Sequence, residues 1–346
     1  MSTSTAGSSA PGQARPTFWH LFPSRSNALG PKADYHASAW LDDYRLTDDE
    51  HEISRLKAFR VGSGMGCFFP DAQQDLLGLA ADLCLWLCAF DDLHVEAPQA
   101  TVTTLAPHLA SFTYVLDTRT TPPAPPSLFT PALADLTRRI HELTTPAQAA
   151  RCATRLHQAF LGMLWDTTTR GRTVRLAEYK AMRSHSVFSH AVAALIEPCA
   201  GLDLPAEAHD TEQVRQLIHS TALLSGWVND VYSFPKERHE SGFPPQTLPL
   251  ILAREHGLAL PEAFAAACHL CDQEAFTAYR LITELTASPP SPNCRTTPRP
   301  SATPSVAHRR STKSATDGVS TPPTPNSAPD IADGRPPGRR LTDHSS

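Results

Sequence analysis

The residues with the most chemical promise lie in two acidic clusters. The first, Phe90-Asp91-Asp92-Leu93-His94-Val95-Glu96, closes a strongly apolar run, and the second, Asn229-Asp230-Val231-Tyr232-Ser233-Phe234-Pro235-Lys236-Glu237, lies well downstream. Paired acids on a helix ordinarily form a solvated face, so neither string alone carries a function. The second cluster, however, sets Asn229, Ser233 and Glu237 at i, i+4 and i+8, stacking an amide oxygen, a hydroxyl and a carboxylate on one helix face. Mg2+ accepts these oxygens and prefers a few of them, completed by water and phosphate. In the first cluster, Asp91 continues the stripe of Leu87 and Cys88, so its carboxylate stands where the buried face reaches a cavity rim. Asp92 and Glu96 are four apart and share one side of a turn if the helix continues that far. Lys236 and Arg238 are placed to hold a phosphate, Asp230 points elsewhere, and Pro235 should kink or loosen its turn. Two half-filled ligand sets facing each other imply a diphosphate between them, with the metals acting as Lewis acids on the departing group.

Helices must position these groups. Leu76, Leu79, Leu83, Leu87 and Phe90 recur at three- and four-residue steps, as do Val214, Leu217, Ile218, Thr221, Leu224 and Val228. Strand-like alternation is not sustained anywhere. Helix starts are marked at Pro70-Asp71, Pro131, Thr145-Pro146 and Asp210-Thr211, and Gly242 to Pro245 and Pro261 punctuate the end of the domain. The expectation is an all-α array of at least seven helices without a short repeat.

The chain has 346 residues, 41% of them hydrophobic, enough for one sizeable core. From about Ser288 to Ser346 there is no Phe, Trp or Tyr, while Pro, Ser, Thr and Arg dominate. Such a stretch cannot bury enough surface to offset its ordering entropy. The expected organisation is a disordered N-terminus over 1–16, one domain over 17–287 and a disordered tail over 288–346. A net charge of -5 with mixed signs gives no basic stripe for nucleic acid. The N-terminus lacks the basic and apolar regions of a signal peptide, and the most apolar segment, Leu76 to Phe90, is short for a membrane span and interrupted by Asp82. A cytoplasmic protein without membrane insertion is expected. Cys84, Cys88, Cys268 and Cys271 sit in apolar helical patterns, where a thiol packs as a small hydrophobe; Cys268-x-x-Cys271 has no second ligand pair. None of the sixteen histidines shows zinc-site spacing, and none is assigned to a metal.

With both clusters in view, the chain resembles the bacterial class I terpene synthases (terpene cyclases). Their second motif, N-D-x-x-S-x-x-K-E, is matched by Asn229, Asp230, Ser233, Lys236 and Glu237, and their aspartate-rich motif appears in its longer DDxxxE form as Asp91, Asp92 and Glu96. The resemblance runs from Phe22-Pro23-Ser24-Arg25 to about Leu285. It implies the family's helical fold around a central apolar cavity, and a diphosphate-sensing arginine about 46 positions before the Asn, where Arg183 stands. Ser186 and Val187 fall at the positions that relay the contact. The implied reaction is ionisation of a linear prenyl diphosphate, farnesyl diphosphate by default, with three Mg2+ on the leaving group and a carbocation cyclising in a closed apolar pocket. The metal ligands would be Asp91, Asp92, Glu96, Asn229, Ser233 and Glu237, with Arg183 and Lys236 on the diphosphate. A cation must be kept from water, and aromatic faces stabilise it. Candidate wall residues are Phe69, Phe90, Phe188 and Trp227, together with Trp86 and Trp165, although each taken alone suits ordinary core packing better. The family also admits a homodimer.

The family ends on a further helix pair carrying an Arg-Tyr that contacts the diphosphate. Here Tyr279-Arg280 is reversed and too close to the second motif, and the Pro-rich tail occupies the later region. The expectation is a chain lacking its last capping helices, through a frameshifted end, with activity reduced to the point where diphosphate binding without efficient turnover is the alternative. A chain-elongating prenyltransferase fits less well, since it would carry a second aspartate-rich motif.

Overall fold

A computed structural model describes residues 18, 21–240, 246–287 and 295–296, excluding the side chains of 235–240 and 295–296. The side chains of Lys236 and Glu237, the 1–16 segment and nearly all of 288–346 therefore lie outside the described residues. By contacts the chain divides into 1–299, which holds every described element, and 300–346.

The described elements are helices α1 (Gly30–Tyr44), α2 (Glu50–Ala58), α3 (Val61–Phe68), α4 (Gln74–Phe90), a π-turn (Asp91–Val95), α5 (Val102–Thr118), α6 (Phe129–Leu143), α7 (Pro146–Thr169), α8 (Leu176–Ser186), α9 (Ser189–Ala193), α10 (Ile196–Ala200), α11 (Ala206–His209), α12 (Glu212–Glu240), α13 (Leu248–His256) and α14 (Leu260–Ala287). The one strand pairing among them is two residues long and antiparallel, Leu202 opposite Thr296 and Asp203 opposite Arg295. The all-α architecture expected from the periodicity is present.

Local chemistry explains several boundaries. Thr145 caps α7 through a reciprocal box with Gln148, and Pro146 occupies the first turn, where its missing N–H costs nothing. Thr101 caps α5 in the same way through Thr104. Helix α12 runs through position 235, so Pro235 does not end it.

The core has two parts. The first gathers α1 to α7 and α9 around Leu41, Leu77, Trp86, Phe90, Phe112 and Phe129, all fully buried. The second joins α8, α12, α13 and α14 around Tyr179, Trp227, Val231, Leu248, Ile251 and Cys271. Each large apolar side chain so buried contributes about 1.5–3 kcal/mol relative to exposure. The first acidic cluster grows from the first core and the second from the other. No described helix is long and apolar enough to cross a membrane.

Candidate diphosphate and metal site

At the end of α4 the backbone changes pitch. The Glu96 N–H donates to the Asp91 carbonyl at 2.7 Å, a five-residue step that makes Asp91–Val95 a π-turn. Residues five apart then stand one above the other, as residues four apart do in an α-helix. Glu96 is the carboxylate that acts most strongly on Asp91 across this turn. Asp92 instead accepts from Arg55 Nη1 of α2 at 2.7 Å, and Arg55 Nε donates to Glu52 at 2.7 Å. Burial, then the carboxylates of Glu96, Asp166 and Asp92, push the Asp91 carboxyl well above the usual carboxylate range, against the pull of Arg183.

The second cluster lies on α12. Asn229 is exposed and Ser233 half-buried on its near face. Ser233 Oγ is itself buried, with no hydrogen-bond partner among the described residues. Asp230 faces the other way, as read from the sequence, and is fully buried. Its carboxylate accepts from Tyr179 OH, from the Leu248 N–H at 2.6 Å, and pairs with Arg183 Nη2 at 2.5 Å. Burial raises the Asp230 carboxyl above the usual range even against these donors.

Arg183 connects the halves. Its Nη2 donates to Asn229 Oδ1 at 3.0 Å and its Nη1 to Ser186 Oγ at 3.3 Å. It stands near the end of α8, where the helix breaks at Phe188, a non-glycine residue with φ 62°. Two glycines let neighbouring helices close on this break. A Cβ on Gly162 of α7 would lie 2.6 Å from the His185 carbonyl carbon and the Ser186 nitrogen. One on Gly226 of α12 would lie 3.1 Å from Arg183 Cγ and Val187 Cγ1. Asp166, on α7, completes the acidic side; burial raises its carboxyl, while Arg183 and then Arg170 pull it down.

The donor set suits Mg2+. Carboxyls that repel one another, an exposed amide oxygen and a buried hydroxyl without a partner are groups a hard cation satisfies. Among the described residues no three acidic, histidine or cysteine side chains converge to hold an ion by themselves. That accords with an ion taking most of its ligands from water and phosphate.

The profile of the family described as terpene synthase family 2, C-terminal metal binding, matches residues 82–275, spanning both clusters. The chain belongs to this terpene synthase family. Labda-7,13(16),14-triene synthase of Streptomyces clavuligerus is 49% identical over 273 residues, 79% of this chain and 80% of that one. The (12E)-labda-8(17),12,14-triene synthase of Streptomyces anulatus is 38% identical over 276 residues, covering 79% and 85%. A germacradien-6-ol synthase of Streptomyces pratensis is 31% identical over 256 residues, covering 72% and 70%. In fold, the chain is similar to 2-methylisoborneol synthase of Streptomyces coelicolor A3(2) in complex with Mg2+ and 2-fluoroneryl diphosphate, with a TM-score of 0.71, 23% identity and coverage of 81% and 90%. The class I terpene synthase fold, a terpene cyclase acting on prenyl diphosphates and a divalent metal cofactor follow.

The aromatic wall candidates divide. Trp86 and Phe90 belong to the core of this terpene synthase: Trp86 Nε1 donates to the Phe129 carbonyl at 2.9 Å, and Phe90 is enclosed by the rings of Trp86, Phe112, Phe129, His94 and His108. Trp227, two residues from Asn229, falls on the opposite side of α12, packed in the second core with Lys180 over its ring at 5.3 Å. Trp165 is tied by Nε1 to Glu178 at 2.8 Å. Phe69 is buried beside α3, and Phe188 lies at the α8 break. A cavity of about 140 Å3 lies beside the π-turn, lined by Leu93, His94, Ala97, Ala100, Leu105 and His108, and none of the second cluster reaches it.

Cys271 is buried, and burial pushes its thiol up to about 12, as core packing requires. Arg55, Arg170, Tyr179 and Asp166 escape the sequence reading because their partners are far away along the chain. The two glycines did leave a trace, since each sits mid-helix, where glycine costs about 1 kcal/mol against alanine.

Proposed function

We propose that this terpene synthase ionises a C20 prenyl diphosphate that already carries the labdane ring pair and releases a labdane triene. The 49% identity to a labdatriene synthase supports that choice. Farnesyl diphosphate, the default of the family resemblance, remains the comparison substrate, in keeping with the germacradienol synthase relative. The chemistry balances: a bicyclic C20 diphosphate with two double bonds loses diphosphate and one proton, and gains a third double bond.

The observation that carries the reading is the joint between Arg183, Asn229 and Asp230. Asp230 and Asn229 together hold the guanidinium in one orientation beside the second cluster. A pre-oriented guanidinium stabilises charge that develops on a leaving diphosphate without reorganising at the moment of reaction. Mg2+, three ions in the proposal, would be held by Asp91, Glu96, Asn229, Ser233 and Glu237, with Asp92 linked through Arg55, and would supply Lewis-acid polarisation of the diphosphate. Lys236 joins Arg183 on the diphosphate. Phe69 and Phe188 remain the wall candidates, excluding water from the cation. A cytoplasmic, membrane-free protein able to form a homodimer completes the proposal.

The test is incubation of the purified chain with MgCl2 and, separately, geranyl, farnesyl, geranylgeranyl and bicyclic labdadienyl diphosphates, with extracts analysed by gas chromatography and mass spectrometry. A C20 triene from the labdadienyl substrate is expected; efficient sesquiterpene formation with no C20 product overturns the substrate choice. No product from any of the four, from soluble folded protein, overturns the enzyme reading.

A further inference from the structure

The DDxxxE motif has one residue more between its first and last acids than the four-residue step that an α-helix makes co-facial. The π-turn absorbs the extra residue and brings Glu96 over Asp91. A π-turn is a rare solution, and something must hold the chain that leaves it. The last carbonyls of any helix lack intrahelical donors. Here the Val95 carbonyl, and those of Ala97 and Ala100 just beyond the turn, meet Arg170, the residue directly after α7. Its Nη2 donates to the Val95 carbonyl, and its Nη1 to the Ala97 carbonyl at 2.7 Å and the Ala100 carbonyl at 3.5 Å. One half-buried guanidinium thus gathers three carbonyls on both sides of Glu96. Bonds from an ionised donor are roughly twice as strong as neutral ones, and the guanidinium fork fixes direction as well as distance.

We propose that Arg170 is a positioning residue for the first metal motif: by clamping the carbonyls of Val95, Ala97 and Ala100 it keeps the π-turn closed and Glu96 co-facial with Asp91. Asp166, one turn earlier on α7, faces both Arg170 and Asp91 electrostatically, so α7 carries the clamp and an acidic neighbour of the motif together. This role rests on the metal reading of Asp91 and Glu96. Arg170 acts through the backbone it holds.

The experiment compares the wild-type chain with Arg170→Ala, Arg170→Lys and Arg170→Gln. Inorganic diphosphate is titrated calorimetrically at a series of MgCl2 concentrations, giving the Mg2+ level for half-maximal diphosphate binding. Hydrogen exchange of the amides between Val95 and Ala100 is followed without metal. Loss of a group that orients a metal ligand typically weakens metal affinity about 10–100-fold. Arg170→Ala is therefore expected to raise the half-saturating Mg2+ level at least about tenfold and to speed exchange in this segment. Lysine, one ammonium for three carbonyls, should recover only part of the loss. A Mg2+ requirement within about twofold of wild type, far below the expected range, in any folded alanine or glutamine variant overturns the proposal, as does unchanged exchange. If the alanine variant does not fold, the lysine and glutamine variants decide by the same readings. Wild-type protein that fails to bind diphosphate with Mg2+ refutes the metal reading instead, and the exchange measurement then decides the clamp alone.

Discussion

Asp230, inside the second acidic cluster, works within the protein interior rather than on the cluster's outer face. Its buried carboxylate is the common acceptor for Tyr179, Arg183 and the Leu248 N–H. Removing one partner of a buried pair leaves the other charge uncompensated and typically costs 3–5 kcal/mol. Asp230→Ala should therefore lower unfolding stability by about 3 kcal/mol or more, read from urea denaturation. Tyr179→Phe, which removes one hydrogen bond to a charged group, should cost about 1.5–3 kcal/mol. Asn229→Ala and Glu237→Ala make the contrasting case: turnover is expected to vanish while the urea midpoint stays near wild type, and retained turnover would refute the metal assignment. The sequence separated the two faces, because i, i+4, i+8 spacing puts position 230 off the face shared by positions 229, 233 and 237. It did not reveal what Asp230 holds, since Tyr179, Arg183 and Leu248 meet it only through tertiary packing.

Among elements, the break between α8 and α9 is the most constrained, with α7 and α12 closing on it through Gly162 and Gly226. At Gly162 the obstacle to a methyl group is backbone, which cannot step aside. Gly162→Ala should destabilise the fold by about 1–3 kcal/mol, as overpacking does, measured by thermal or urea unfolding. At Gly226 the obstacles are mainly the side chains of Arg183 and Val187. Gly226→Ala should leave stability within about 1 kcal/mol of wild type, partly because alanine suits a helix better, but displace Arg183, so its loss in kcat should exceed its loss in stability. Equal losses would contradict that separation. Helix starts with local chemistry were readable: Thr145-Pro146 marks α7 to the residue, and Asp210-Thr211 precedes α12 directly. The π-turn was not readable, because its five-residue bond is selected by a contact from Arg170, far away in the chain.

At the scale of the whole molecule, acid should weaken the fold through a buried histidine. His190 is 6% exposed, its ring lies 4.9 Å from that of His185, and His219 stacks nearby at 6.3 Å. Burial first, then Arg155, His185 and His219, lower its pKa to about 3. An unfolded histidine takes up its proton near pH 6.5, whereas the folded one resists until about pH 3. Its contribution to stability is therefore complete above about pH 6.5 and declines as the pH falls from there towards 3, because the unfolded state binds the extra proton. Between pH 7 and 5 the loss is on the order of 2 kcal/mol. His190→Phe should flatten this slope in urea midpoints taken at the two pH values; an unchanged slope would assign the dependence elsewhere. The helical class and the two helices carrying the acidic clusters were legible because periodicity reports burial, but the division into two cores was not, since it depends on which helix faces meet. That division has a thermodynamic consequence. One cluster is rooted in each core, so a Mg2+-diphosphate complex held by both would tie the two cores together in the bound state. Calorimetric melting should shift to higher temperature when MgCl2 and inorganic diphosphate are added together, and much less with either alone.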